Sequence, residues 1–143
     1  MAYATLQQLI DRFGERMLVA LTDRSDIPTH AIDQAVIDRA LADTDALIDG
    51  YLMARYVLPI VGTVPPLLAD LAQAIAIYKL HVQAADPKIE ADYKDALRAL
   101  QQIAAGTIRL PVAGAEPETQ GGSGALVTDR ERPFTAENMK GFI

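Results

Sequence analysis

Residues 46–59 read ALIDGYLMARYVLP, and this stretch gives the clearest indication of the architecture. Its apolar residues recur at helical spacing, and Pro59 cannot continue a helix. We therefore predict that the stretch ends a long, buried helix. Gly50 lowers helix propensity by about 1 kcal/mol relative to alanine. We take its presence to indicate the close approach of a neighbouring backbone.

The same helix extends towards the N-terminus. Thr29 follows Pro28 and can cap a helix, and apolar residues then recur from Ile32 to Leu52. We predict one helix of about 27 residues, roughly 40 Å long.

Two short helices precede this long helix. Thr5 can cap the first, which Gly14 ends, and apolar residues indicate a second helix from Glu15 to Leu21.

Two longer helices follow it. The run Val64-Pro65-Pro66 begins a helix that is apolar on most of its face as far as Val82, and such a helix should be central. The pair Asp86-Pro87 begins the last helix, which Gly106 ends.

These signals predict an all-α fold, a compact bundle of about five helices with two short and three longer members. We assign the helical core domain to residues 1–106 and an extended tail to residues 107–143. Short strands are one option in the tail, because Ile108, Leu110 and Val112 alternate as in a strand. Residues 114–124 are rich in Gly, Pro, Glu and Ser, which is typical of a linker.

Apolar residues return beyond the linker. Such residues often order only when a partner offers a groove, so they are candidates for binding a partner or a neighbouring subunit. The alternative is a strand and turn folded back on the same domain, and the sequence leaves both open. The candidate binding residues are Leu126, Val127, Phe134 and Phe142.

Composition excludes several classes of function. The chain has 143 residues, no cysteine and a formal charge of -6, which removes disulfides and thiolate metal sites and argues against nonspecific nucleic-acid binding. No apolar run reaches the roughly 20 residues that span a bilayer, and the N-terminus lacks the features of a signal peptide. We expect one soluble, cytoplasmic domain without membrane contact.

Candidates for chemistry are few. His30 and Asp33 have a spacing that suits two metal ligands, but a site needs three or four. The aspartates of residues 38–49 are most simply a solvated helix face. We therefore predict no catalytic residue, no metal and no cofactor. An enzyme would require a pocket with at least two perturbed titratable groups, for example near His81 and Asp86.

Five charged and aromatic residues are candidates for structural or inter-subunit pairing. An arginine near the end of a buried helix usually pairs with a carboxylate, and a buried tyrosine needs a partner for its hydroxyl. Pairing within the domain and pairing across a subunit interface both fit the sequence. The residues are Asp23, Asp49, Arg55, Tyr51 and Tyr56.

The order and spacing of several short motifs resemble the head-tail joining family of Mu-like phages and prophages. The resemblance covers about the first 110 residues. Its motifs are Tyr3-x-Thr5-x-x-x-Leu9, Arg12-Phe13-Gly14-Glu15, Leu21-Thr22-Asp23, Ile48-Asp49-Gly50-Tyr51-Leu52-x-x-Arg55-Tyr56-x-Leu58-Pro59, Ile75-Ala76-x-Tyr78-x-Leu80 and Gly106-x-x-x-Leu110.

This resemblance implies a non-enzymatic adaptor or head completion protein of the virion neck. It would form a ring of about twelve copies that contacts the portal protein and a tail-side stopper or tail completion protein. DNA would pass through the channel without specific binding. The alternative from another class is a small helical regulatory module that binds a protein as a dimer.

Overall fold

The computed structural model describes residues 1–112. Within them the chain forms five helices and no strand, which confirms the predicted all-α bundle of two short and three longer helices. The helices are α1 (Leu6–Phe13), α2 (Glu15–Thr22), α3 (Gln34–Leu52), α4 (Pro66–Leu80) and α5 (Pro87–Ala105).

The two short helices begin and end close to the predicted residues. The Thr5 hydroxyl accepts a hydrogen bond from the Gln8 backbone N–H, and the Gln8 side chain accepts one from the Thr5 N–H, so both caps of a capping box are present. Gly14 separates α1 from α2 with a φ of 89°, a conformation that glycine adopts without strain.

The predicted start of α3 was wrong. Asp33, not Thr29, caps the helix, because its carboxylate accepts from the Ala35 N–H at 3.0 Å. The Asp23 carboxylate instead accepts from the Thr29 backbone N–H and hydroxyl, and His30 has a φ of 54° that a right-handed helix cannot contain. The helix therefore has 19 residues rather than about 27.

The predicted end of α3 and the interpretation of Gly50 were also wrong. The helix ends at Leu52, well before Pro59, and the chain turns so that Tyr56 and Ile60 are buried. A Cβ built on Gly50 meets nothing within 4 Å, so no neighbouring backbone approaches it. The close approach lies at Gly106, whose Cβ would come within 2.5 Å of the Arg55 guanidinium.

Helix α4 is central, as predicted. It packs against α1, α3 and α5, and eight of its fifteen residues are buried. Pro66 occupies its first position, where a missing N–H has no cost. Val82 lies beyond the end of the helix at Leu80 and is 74% exposed, so its assignment to the apolar face was wrong.

The last helix also follows the predicted signals. The Asp86 carboxylate caps α5 by accepting from the Lys88 N–H at 2.9 Å, and Gly106 ends it in the left-handed conformation. The short strand that alternation indicated is not formed between residues 107 and 112. Their apolar side chains instead pack on the core: Ile108, Leu110 and Val112.

Two apolar clusters form the core, and α4 contributes to both. The first joins the C-terminal part of α3, α5, the N-terminal segment and residues 56–60. The second joins α1, α2, the N-terminal part of α3 and the start of α5. The bundle therefore has two ends that the three longer helices connect.

Two glycines provide a matched test of this geometry. We expect Gly106→Ala to lower the free energy of unfolding by about 1–2 kcal/mol, because an L residue is strained in the left-handed region and the new methyl group would displace Arg55. We expect Gly50→Ala to raise it by about 0.5–1 kcal/mol through helix propensity. Urea unfolding measures both, and a loss of stability in Gly50→Ala would contradict the open space around that residue.

Candidate functional site

The N-terminal segment is attached to the long helix α3 by Tyr3. This side chain is 2% exposed, its hydroxyl donates to the Asp49 carboxylate and its backbone N–H donates to Asp45 at 3.0 Å. Burial is the main cause that raises the pKa of Tyr3 and also that of Asp45. Asp49 therefore pairs within the domain in this structure.

The shifted tyrosine predicts a change of stability at alkaline pH. A pKa that is raised in the folded state gives stability that is present below the ordinary tyrosine pKa of about 10 and is lost as the pH rises above it. We expect Tyr3→Phe to lower the free energy of unfolding by about 1 kcal/mol at pH 7. The difference from the wild type should shrink above pH 10.

Urea unfolding of both proteins between about pH 7 and 11 measures this difference. The four other tyrosines are present in both proteins, so their titration is largely removed by the comparison. A difference that stays constant across the range would show that the Tyr3 hydroxyl is not responsible.

Asp23 holds the loop between α2 and α3. Its carboxylate accepts from the backbone N–H groups of Thr29 at 3.0 Å and of His30 at 3.1 Å, and from the Thr29 hydroxyl at 3.2 Å. The hydrogen bond from the Thr29 N–H is the main cause that lowers the Asp23 pKa. The described partners of Asp23 thus lie in its own loop. Asp33, the other half of the weak metal-ligand pair, caps α3.

The remaining candidates for pairing lie where α3 leads into the following connection. The Arg55 guanidinium lies against Gly106. The Tyr56 hydroxyl accepts from the buried backbone N–H of Leu110 at 3.1 Å, and the half-buried Tyr51 packs on the first cluster. The structure brings Arg55 and Tyr56 to the place where the end of α5 and the following segment return to α3.

The connection between α3 and α4 carries three exposed apolar side chains that sequence reasoning missed. Met53 is 68% exposed, Val57 66% and Val61 81%. We call these three residues the α3–α4 patch. The sequence interpretation placed residues 53 and 57 near the end of a buried helix, so their exposure was not expected. The sequence did contain a signal for an exposed connection: Pro59, Gly62 and Pro65 interrupt the apolar residues there, and proline and glycine mark loops.

A concavity of about 580 Å³ lies beside His81 at the other end of α4. The His81 Nδ1 donates to the Ile77 carbonyl at 2.8 Å. Asp86, the second group considered for an enzyme, caps α5 and does not line this concavity. Among residues 1–112, the groups with shifted pKa values lie elsewhere; they are Tyr3, Asp23, Asp45 and Lys94.

Among residues 1–112, no group of three or more His, Asp or Glu side chains is placed to hold a metal ion. No helix in that part of the chain has the length and apolar character needed to cross a membrane.

Comparison with known families shows where this helical chain belongs. A model of the family described as Bacteriophage Mu, Gp36 matches residues 3–128, which is most of the chain. The chain belongs to the bacteriophage Mu Gp36 family. Similarity to the Mu-like phage family, inferred above from short motifs, is thereby confirmed.

Two relatives match the chain along its length. "Gene product J" of Escherichia phage Mu is 34% identical over 143 residues, which cover all of both chains. "Mu-like prophage FluMu protein gp36" of Haemophilus influenzae (strain ATCC 51907 / DSM 11121 / KW20 / Rd) is 31% identical over 141 residues, covering 99% of this chain and 98% of the relative. The relatives of this chain therefore include both a phage and a prophage product.

The Gp36 family match continues beyond the helical core. It extends to residue 128 and so includes Leu126 and Val127, two of the predicted binding residues in the tail. These two residues, together with Phe134 and Phe142, lie outside the residues that the structure describes. Their role as a docking segment stays a prediction, as does the domain boundary at residue 106.

Proposed function

We propose that this chain is a structural virion protein of a Mu-like phage or prophage, and that it forms a connector ring between head and tail. The observation that carries the proposal is the family match over residues 3–128, together with relatives from a phage and a prophage that match over the full chain. The specific role in joining head to tail comes from the motif resemblance in the sequence.

The partners of such a ring follow from its position in the neck. We propose the portal protein on the head side and a stopper or tail completion protein on the tail side, with about twelve copies in a closed ring by resemblance. Each subunit must then carry two different surfaces, because a closed ring of more than two copies uses heterologous contacts. The exposed α3–α4 patch has the apolar character typical of the centre of a protein interface.

The charge of the chain suits a channel for DNA. Each copy has a formal charge of -6, and an acidic lumen repels phosphates. The genome can then slide through the ring without specific binding, provided that acidic side chains face the channel.

A non-enzymatic role is part of the proposal. The polar groups with the clearest geometry serve the fold: Tyr3 attaches the N-terminal segment to α3, Asp23 holds a loop, and Asp33 and Asp86 cap helices. These contacts support a protein that acts by shape and adhesion.

The tail supplies the attachment to the portal in this proposal. Apolar burial of its candidate residues offsets the entropy that is lost when a segment becomes ordered on binding. Those residues are Leu126, Val127, Phe134 and Phe142.

Deletion of the gene from an inducible phage or prophage tests the proposed role. We expect filled heads and complete tails that remain separate in electron micrographs, and restoration of joined particles by the full-length protein supplied in trans. The protein should also be found in purified virions by mass spectrometry. Normally joined particles without it, or virions that lack it, would overturn the proposal.

A truncated protein tests the tail separately. A chain without residues 115–143 should keep its helical circular dichroism signal but lose attachment to the portal. The control is the full-length Gly50→Ala variant, which should restore joined particles when it is supplied in trans to the deletion. Retained attachment of the truncated chain would reject docking by the tail. Native mass spectrometry of the full chain that shows a stable dimer would favour the regulatory module instead.

A further inference from the structure

The α3–α4 patch is held in place from inside the bundle. Each of its members directly follows a buried residue: Leu52 is 0% exposed, Tyr56 4% and Ile60 4%. The connection is therefore fixed to the core at three points while Met53, Val57 and Val61 face outward. A surface that is already ordered loses little entropy when a segment binds to it.

Neighbouring members of the patch lie close to one another along the chain. Its consecutive members are four residues apart in sequence, so at most about 14 Å separates their Cα atoms. Exposed apolar groups spaced in this way suit a short segment with one or two apolar side chains.

The chain leaves the described structure beside this connection. The Leu110 N–H donates to the hydroxyl of Tyr56 at 3.1 Å. Val112, the last described residue, packs on the cluster that contains Tyr56 and Ile60. The segment that follows therefore starts next to the connection that carries the patch.

The sequence after Val112 provides a tether and then an apolar pair. Apart from Pro117, residues 113–125 contain no apolar side chain larger than that of alanine, and Leu126 and Val127 follow them. Leu126 is fourteen positions after Val112, and a Gly-rich chain of that length has a root-mean-square span of about 20 Å. The pair is thus within reach of the patch on the same chain.

We infer that Leu126 and Val127 dock on the α3–α4 patch of their own chain. A tether this short in sequence gives the pair an effective concentration in the roughly millimolar range, so a weak apolar contact is enough. A second copy would have to be present at a similar concentration to compete. The family match extends through this pair to residue 128, which is consistent with a role for it in the family.

This inference goes beyond the connector role and does not depend on it. It concerns the isolated subunit, in which the pair proposed for portal attachment covers an apolar surface of its own domain. The portal would then have to displace this contact.

The absence of cysteine from the chain allows a direct test by disulfide formation. The variant Thr63→Cys/Thr128→Cys places thiols beside the patch and the pair without changing either. Thr63 is exposed and lies in the same connection. We expect rapid closure of an intramolecular disulfide in the full chain at low protein concentration, detected by non-reducing electrophoresis and mass spectrometry.

Docking must be separated from simple proximity of the tether. In the Thr63→Cys/Thr128→Cys protein, we expect the additional change Val57→Ser/Val61→Ser to slow closure about tenfold. This factor corresponds to the loss of apolar burial equal to about one valine side chain, because each exposed valine is covered only in part. The matched control is Ile27→Ser/Val82→Ser, whose residues are 81% and 74% exposed elsewhere on the surface, and it should leave the rate unchanged. Because all four positions are exposed, the fold should tolerate these substitutions.

A second variant leaves the helical core untouched. Leu126→Ser/Val127→Ser should slow closure as much as the change in the patch. The pair Gln83→Cys/Thr128→Cys, with Gln83 beyond the far end of α4, should close slowly with or without that change. Equal closure rates in the patch variant, the tail variant and the unsubstituted protein would overturn the inference, as would disulfide-linked dimers as the main product.

Discussion

We expect Leu68→Ala to lower the free energy of unfolding by about 2–5 kcal/mol, the range found for large-to-small changes in a core. Leu68 is fully buried on the central helix α4 and belongs to the first cluster. Truncation removes the transfer energy of its methyl groups and leaves a cavity that close-packed neighbours fill only in part.

Leu67 is the matched control. It occupies the preceding position of the same helix and is 38% exposed, so Leu67→Ala removes the same atoms from a partly solvated site. We expect a loss of less than about 1 kcal/mol. Urea unfolding of both variants, followed by circular dichroism, gives the comparison. Equal losses would mean that the two leucines are not separated by burial as the structure has them.

The two leucines show what the sequence could predict about α4. The apolar run after Pro65-Pro66 predicted the helix and its central position. Helices α1, α3 and α5 all pack on it, and because most of its surface is therefore apolar, its hydrophobic periodicity is weak. A weak period does not tell which of two adjacent leucines is buried, and Val82 was assigned to this face for the same reason.

Local signals located several helix ends correctly, but the local signal at Thr29 was misleading. The caps by Thr5 and Asp86 and the stop at Gly106 were predictable because each depends on residues within a few positions. Thr29 has an equally good local signal as a cap. Asp23, six residues earlier, binds its N–H and hydroxyl, and that competition cannot be read from the local pattern.

The two glycines discussed above make the same point about tertiary structure. Gly50 was interpreted as a site of close packing, but the space around it is open, whereas Gly106 lies against Arg55. Gly106 and Arg55 are 51 positions apart along the chain, and the packing of α5 against α3 brings them together. Propensity alone marks a glycine as unusual without giving the reason.

The candidate surfaces were predictable in unequal measure. The apolar tail residues stand out because a Gly-rich linker precedes them. The α3–α4 patch does not stand out, since Met53 and Val57 adjoin buried residues and fit a continuous helical pattern. Their exposure follows from the early end of α3 at Leu52, because the chain leaves the helix before the apolar pattern is complete.

Thr22→Val tests a contact that sequence reasoning did not find. Thr22 is fully buried. Its hydroxyl donates to the Leu18 carbonyl at 2.7 Å and accepts from the Asp33 backbone N–H at 3.1 Å, so it joins the end of α2 to the cap of α3. Valine has the same shape but leaves the Asp33 N–H without its acceptor. We expect a loss of about 1–3 kcal/mol in the free energy of unfolding.

Thr44→Val is the control for this loss, because Thr44 is equally buried on α3 and its hydroxyl donates only to the Ala40 carbonyl in its own helix. That carbonyl keeps its bond from the backbone N–H of residue 44, so valine leaves no donor unsatisfied and the change should be within about 0.5 kcal/mol. Urea unfolding measures both variants. Hydrogen exchange at the Asp33 amide should accelerate in Thr22→Val alone, and equal stability of the two variants would contradict a structural role for the Thr22 hydroxyl between α2 and α3.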